Sequence, residues 1–237
     1  MKTSLCILAI LLAGLFLISM ISCSETTDDD VAEAVDDTTV VDIPDATLRA
    51  AIASELEIQD DASITVDDML KLTHFDTSTD TDIVNLTGLE YATNLVDLGL
   101  DHNAIVDVSP LKELTKLEAL GLGFNAIIDV SPLKELTKLE ALALGNNAIV
   151  DVSPLKELTE LKWLELNDNA IVDISPLKGL TKLEEFFLYN NAIVDVSPLK
   201  GLTELKSLLL EDNPLSQESV EIHIPAIKAN GTTVIYD

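Results

Sequence analysis

Two cysteines in 237 residues, Cys6 and Cys23, both near the N-terminus, leave the body of the protein without any possible disulfide. It must fold on an apolar core alone. Basic residues are also scarce: 14 Lys and Arg stand against 42 Asp and Glu, a formal charge of −28. Nucleic acid is excluded as a partner, because its phosphates need Lys and Arg to neutralise them, and anionic lipid heads are repelled. The three histidines, His74, His102 and His223, are too scattered for an HExxH helix or a Cys/His metal set. No GxSxG turn, glycine-rich phosphate loop or DxDxDG calcium loop occurs. No catalytic residue, metal ligand or cofactor is expected, and a hydrolase with an unrecognised site is only a third reading. The one adjacent acid and imidazole, Asp101-His102, read as strand neighbours on opposite faces, which leaves His102 a surface residue.

What is present begins with a leader. Lys2 precedes an almost unbroken apolar run from Leu5 to Ile21, the layout of a secretory signal peptide. The run also approaches the ~17–25 residues of a membrane span. Met20-Ile21-Ser22-Cys23 resembles a bacterial lipobox, with Met20 where leucine is usual. The resemblance implies removal of residues 1–22 and lipidation of Cys23, whose acyl chains, at roughly 0.8 kcal/mol per buried methylene, anchor a protein without a span. An uncleaved anchor helix with an incidental cysteine is the alternative. Ser24 resembles an outer-membrane sorting residue, so the expected location is extracytoplasmic, lipid-anchored at the outer membrane or cell surface. Residues 23–40 are acidic and poor in large apolar groups, and read as a disordered tether.

Asn103, Asn125, Asn147, Asn169, Asn191 and Asn213 recur every 22 residues, each closing the string LxxLxLxxN. Leu95, Leu98 and Leu100 make the first copy; Leu183, Phe186 and Leu188 make a later one with Phe in a leucine place. Period two within LxL suits a short strand with both leucines on one side. Asp107 to Leu111 then turns the chain, with Ser109 read as an N-cap and Pro110 as the first helical residue. One such turn has no interior of its own. Its leucines are buried only when copies stack, each contributing roughly 1.5–3 kcal/mol.

The string resembles the leucine-rich repeat, and NAIVDVSPLKELTKL is similar to the 22-residue class of internalin-like bacterial surface proteins. The resemblance implies an α/β solenoid: a leucine-rich-repeat arc with a parallel concave β-sheet, short 3-10 or irregular segments on the convex side, a helical N-terminal cap and a helix-strand C-terminal cap. It also implies that the six asparagines form a structural ladder to the backbone of their own and neighbouring turns, which offsets the cost of burying a polar side chain.

Solenoid ends expose the core and need caps. Asp45 reads as the cap of a helix carrying Leu48, Ile52 and Leu56 at helical spacing. Thr65 to Asp68 reads as a capping box. Leu72, Phe75 and Ile83 make a degenerate first turn with one residue inserted. Ser216 to Ala229 reads as a helix interrupted at Pro225, Asn230-Gly231 as a turn, and Thr232 to Tyr236 as a closing strand. The expected organisation is leader 1–22, lipidated cysteine and tether 23–40, N-terminal cap and degenerate repeat 41–85, repeats 86–215 and C-terminal cap 216–237.

Residues between the strand leucines should face solvent on the concave side. Trp163, the single tryptophan, with Phe124, Phe187 and Tyr189, falls at such positions, and exposed aromatics mark recognition surfaces. The Ala and Gly positions of the second and third copies leave a shallow trough with Trp163 as its wall. Asn167 also reads as outward. Asp97, Asp101, Glu165, Asp168, Glu185, Glu211 and Asp212 share the face with no Lys or Arg, whereas lysines such as Lys112 and Lys116 fall outside it. A cationic partner would be steered there; solubility alone is the other account of the acids. Copies Ala104–Asn125 and Ala126–Asn147 differ at three positions, Val106/Ile128, Gly121/Ala143 and Phe124/Asn146, two of them on this face. Such variation reads either as selected binding or as weak constraint. The resemblance implies a cell-surface or envelope binding module, adhesion-like, for a protein or other surface macromolecule, and a monomer is expected. A periplasm-facing scaffold or envelope-assembly lipoprotein is the alternative.

Overall fold

The computed structural model describes residues 37–59, 62–77 and 82–237, all within one compact unit, Val35–Asp237. The leader, Cys23 and most of the expected tether lie outside the described residues. Among the described residues, no helix is long and apolar enough to cross a membrane.

The core of the fold is an eight-stranded parallel sheet whose strands follow one another in sequence order. They are β1 (His74–Asp76), β2 (Asp97–Gly99), β3 (Ala119–Gly121), β4 (Ala141–Ala143), β5 (Trp163–Glu165), β6 (Glu185–Phe187), β7 (Ser207–Leu209) and β8 (Thr233–Ile235). Each is short because only the LxL segment has strand period. The 22-residue repeat sets the register: Leu98, Leu120, Leu142, Leu164, Phe186 and Leu208 stand opposite one another in turn. Phe75 takes the equivalent place opposite Leu98. In that first turn Phe75 to Ile83 spans one residue more than Leu98 to Ile105.

Short 3-10 segments such as Ser109–Leu111, Ser131–Glu135 and Ser153–Glu157 run along the other side. Their start differs from the sequence expectation. Ser109 is already inside the segment, Val108 holds the cap position, and no side chain bonds there. Asp107 closes the turn instead: its carboxylate accepts the Ser109 N–H (2.8 Å) and the Ser109 hydroxyl (2.9 Å). Aspartate folds back onto the backbone two residues on more strongly than a serine hydroxyl does. The same device recurs at Asp129, Asp151 and Asp195.

Between sheet and 3-10 segments lies the leucine interior. In the third copy Ile127, Val130, Leu133, Leu136, Leu139, Leu142 and Leu144 are fully buried. Asn147 closes that turn. Its Oδ1 accepts the Ile127 N–H (2.9 Å), and its Nδ2 donates to the carbonyls of Leu122 (2.9 Å), Leu144 (3.1 Å) and Gly145 (3.3 Å). Asn125, Asn169, Asn191 and Asn213 make equivalent bonds. Asn103 bonds within its own turn and to the Ile83 N–H.

Both ends of the stack are covered. Helix α1 (Ala46–Glu55) starts at Asp45, buries Leu48 and Ile52, and is followed by α2 (Val66–Met69) with the Thr65/Asp68 capping box. Residues 37–40, counted with the tether by composition, are held to this cap. The carbonyls of Asp37 and Thr39 accept the Asp67 and Val66 N–H groups, and Val40 bridges Thr65. Main-chain bonding, to which composition is blind, brings them into the cap. At the far end a π turn, Ser219–His223, precedes α3 (Ile224–Ala229). Pro225 offers no N–H and its ring crowds the carbonyl four residues back, and the wider turn absorbs both effects. Gly231 reverses the chain at φ 95°, and β8 pairs with β7 to complete the sheet.

Candidate binding surface

The middle residue of each strand is buried while its two neighbours are at least partly exposed. The fixed register stacks those neighbours into columns. One column reads Asp97, Ala119, Ala141, Trp163, Glu185, Ser207; the next reads Gly99, Gly121, Ala143, Glu165, Phe187, Leu209. The small residues sit towards the N-terminal end and the large ones towards the C-terminal end. The step between them falls at Trp163.

A trough of about 350 Å³ lies over the low half, lined by Gly121, Ala119 and Ala143, by Trp163, and by Asp97, Asp101 and His74. Trp163 is half-buried and leans on Phe187, with ring centroids 5.7 Å apart at 57°. Tyr189 is half-buried too, and burial, with the Asp168, Glu165 and Glu211 carboxylates, pushes its hydroxyl above the usual range. Glu185 is exposed opposite Trp163. Glu211 is half-buried, with Oε2 enclosed and unpartnered among the described residues.

Phe124 stands apart from the Trp163–Phe187 pair. It lies at a corner with φ 53°, 48% exposed, stacked on His102 at 4.2 Å and 11°. The strand-alternation account of Asp101-His102 does not hold, because both residues lie beyond the end of β2 and His102 is left-handed at φ 58°. Asp101 turns across the sheet, and its carboxylate accepts the Gly123 N–H (2.6 Å). A Cβ on Gly123 would come within 2.8 Å of that carboxylate, and one on Gly121 would overlap it. These glycines let an acid lie flat on the sheet.

Asn167 corrects another expectation: it is fully buried, not outward. Its Nδ2 donates to Asp168 (2.7 Å), while its Oδ1 has no partner among the described residues. Asn167 Oδ1 and Glu165 Oε1 lie 2.7 and 2.9 Å from where a Gly145 Cβ would be, so glycine opens the space that Asn167 enters. Burial, then the Asp101 and Asp168 carboxylates, push the Glu165 carboxyl above its usual range. Asp168 also accepts from the Asn146 and Asn190 amides. The sequence signal for this polar cluster was present only as a column, Asp101, Gly123, Gly145, Asn167, in which acid and amide flank two glycines.

Lysines are engaged off this face. Lys162 pairs with Glu140 and Lys182 with Glu160, each at 2.6 Å, and Lys206 pairs with Glu184. His74 meets Asp97 at 2.9 Å.

These features define a leucine-rich-repeat solenoid, and residues 159–201 match the family model described as Leucine Rich repeats (2 copies). Solved structures narrow the class. An internalin, InlF, from Listeria monocytogenes is similar at a TM-score of 0.74 and 32% identity, over 82% of this chain and 55% of that one. Internalin C2 from the same species is similar at 0.62 and 29%, over 82% of this chain and 94% of that one. A leucine-rich-repeat protein of Leptospira interrogans shares the fold at 0.55 and 20%, over 72% of this chain and 50% of that one. The chain has the internalin-like leucine-rich-repeat fold, and it spans about 55% of the InlF structure it matches. No curated protein matches it significantly. Domains of this fold are generally protein-interaction modules.

Proposed function

We propose that this protein is a binding module of the bacterial envelope, held by lipid on Cys23 and displayed at the cell surface, which recognises a protein partner through its sheet face. Trp163 carries the reading. A large half-exposed aromatic, supported by Phe187 and standing over an open trough, is the arrangement in which interface hot spots concentrate binding energy. Glu165 shares a strand with Trp163 and Glu185 stands opposite it, Asp168 and Glu211 act on Tyr189, and Phe124 marks a corner of the face. Their acidity favours a cationic partner through steering. The monomer is the binding unit.

Capture of the partner from neighbouring-cell surfaces by wild-type protein is expected to be lost in a Trp163→Ala, Tyr189→Ala double variant with an unchanged melting transition. Equal capture by both forms would remove the aromatic face as the site. Cys23→Ala is expected to abolish metabolic labelling with radioactive palmitate. Protease added to intact cells is expected to digest the repeats; protection would place them on the periplasmic side, as a scaffold.

A further inference from the structure

The binding reading leaves open which chemical group the trough holds. The trough has an apolar floor of alanine and glycine, an indole wall and a carboxylate rim. The Asp101 carboxylate is oriented by the Gly123 N–H (2.6 Å) and lies against Gly121. Asp97 and Asp76 also line the trough, and among the described residues no Lys or Arg does. A metal ion would leave most of 350 Å³ unused, and calcium asks for six to eight oxygen ligands. Among the described residues no group of three or more His, Cys, Asp or Glu side chains is placed to hold a metal. An anion is repelled. A neutral apolar side chain would remove water from the carboxylates that line the trough and bring no donor of its own in exchange.

We propose that the trough receives one basic side chain of the partner, with Asp101 as its carboxylate contact and the Trp163 ring as the surface on which it stacks. This rests on the reading of the sheet face as the binding surface. The volume suits a long side chain with the backbone that carries it. Arginine fits best: three strand spacings separate the β2 and β5 turns, and its long stem can pack on the indole while its guanidinium forks onto the carboxylate, which a lysine ammonium does less well. Asp97, engaged by His74 at 2.9 Å, adds charge beyond the first contact. The glycines are part of the site, since any side chain at Gly121 or Gly123 would displace the Asp101 carboxylate from the floor.

Trp163 is the only tryptophan in the chain, so its fluorescence reads occupancy of the trough directly. The full-length protein is titrated with N-acetyl-arginine amide, and in parallel with the neutral isostere N-acetyl-citrulline amide and with calcium chloride. The arginine amide is expected to give a saturable change that weakens with added salt, and citrulline is expected to give none. Asp101→Asn keeps an acceptor for the Gly123 N–H, and is expected to weaken the arginine response by roughly tenfold while the circular dichroism is unchanged. Ala119→Leu, which fills the floor from an outward position, is expected to abolish it. Equal responses to arginine and citrulline, an undiminished response in a folded Asp101→Asn protein, or a saturable response to calcium alone would overturn the proposal. If the arginine response is absent but Trp163→Ala, Tyr189→Ala still abolishes partner capture, the surface reading stands and the basic-side-chain site falls. An arginine response with capture indifferent to that double change would sink the surface reading instead.

Discussion

Phe124 holds a left-handed corner, φ 53°, that asparagine holds in the following copy, Asn146 at φ 55°. The conformation costs a bulky residue roughly 1–2 kcal/mol, whereas asparagine adopts it readily. The stack on His102 returns about 0.5 kcal/mol at so exposed a site. Strain wins, so Phe124→Asn is expected to raise the urea midpoint by the equivalent of about 0.5–1 kcal/mol without changing the slope. Glu165 is a second residue held at a cost. Its carboxyl titrates above the usual range because burial, Asp101 and Asp168 oppose its charge, so the native state binds this proton more tightly than the unfolded chain does. Its ionisation therefore subtracts stability, fully above the folded pKa and not at all below the ordinary carboxylate value. Glu165→Gln should be more stable than wild type at neutral pH, and the two melting temperatures should converge as the pH falls through the raised value. Asn167 shows why such residues resist sequence reading. Strand alternation sends it outward, but the missing side chain of Gly145, 22 positions earlier, draws it in.

Besides its buried Leu48 and Ile52, the first helix is tied to the repeats by a carboxylate. Asp45 Oδ1 accepts the N–H groups of Thr47 and Leu48 (both 3.0 Å), and its Oδ2 accepts those of Val84 (2.9 Å) and Asn85 (3.1 Å). Burial raises the Asp45 pKa, but the four backbone donors outweigh it, and the carboxyl ends below its usual range. Its stabilisation is therefore complete above the ordinary value and is lost as the pH drops through the depressed one. Asp45→Ala is expected to cost about 1–2 kcal/mol at neutral pH, with a flatter acid-unfolding profile than wild type in circular dichroism. The helix start at Asp45 was legible, because a cap acts on residues two and three positions on. The clamp onto Val84 and Asn85 was not, since nothing local in the chain places them beside it. For the same reason the leucine spacing disclosed the strands and their register, while the choice of Asp107 over Ser109 as the turn-closing group depended on reach.

Across the whole molecule each turn touches only its neighbours, so stability is close to a sum over turns and the interfaces between them. The paired lysines, such as Lys162 with Glu140, join adjacent turns at the surface but contribute little, because both partners are about half exposed. Removing Ala126–Asn147 excises one full turn and restores the register, since Ala148 follows Asn147 as Ala126 follows Asn125. That variant is expected to fold with seven strands, to melt cooperatively at a lower temperature, and to bring Asp101 nearer Trp163 by about 4.8 Å, one strand spacing. Its arginine titration should then shift relative to the parent. On the proposed reading, the Asp101 carboxylate and the aromatic step are two jaws whose gap is counted in whole turns. If the trough binds as proposed, duplication or loss of a single copy would change the size of guest admitted in discrete increments, without redesigning either jaw.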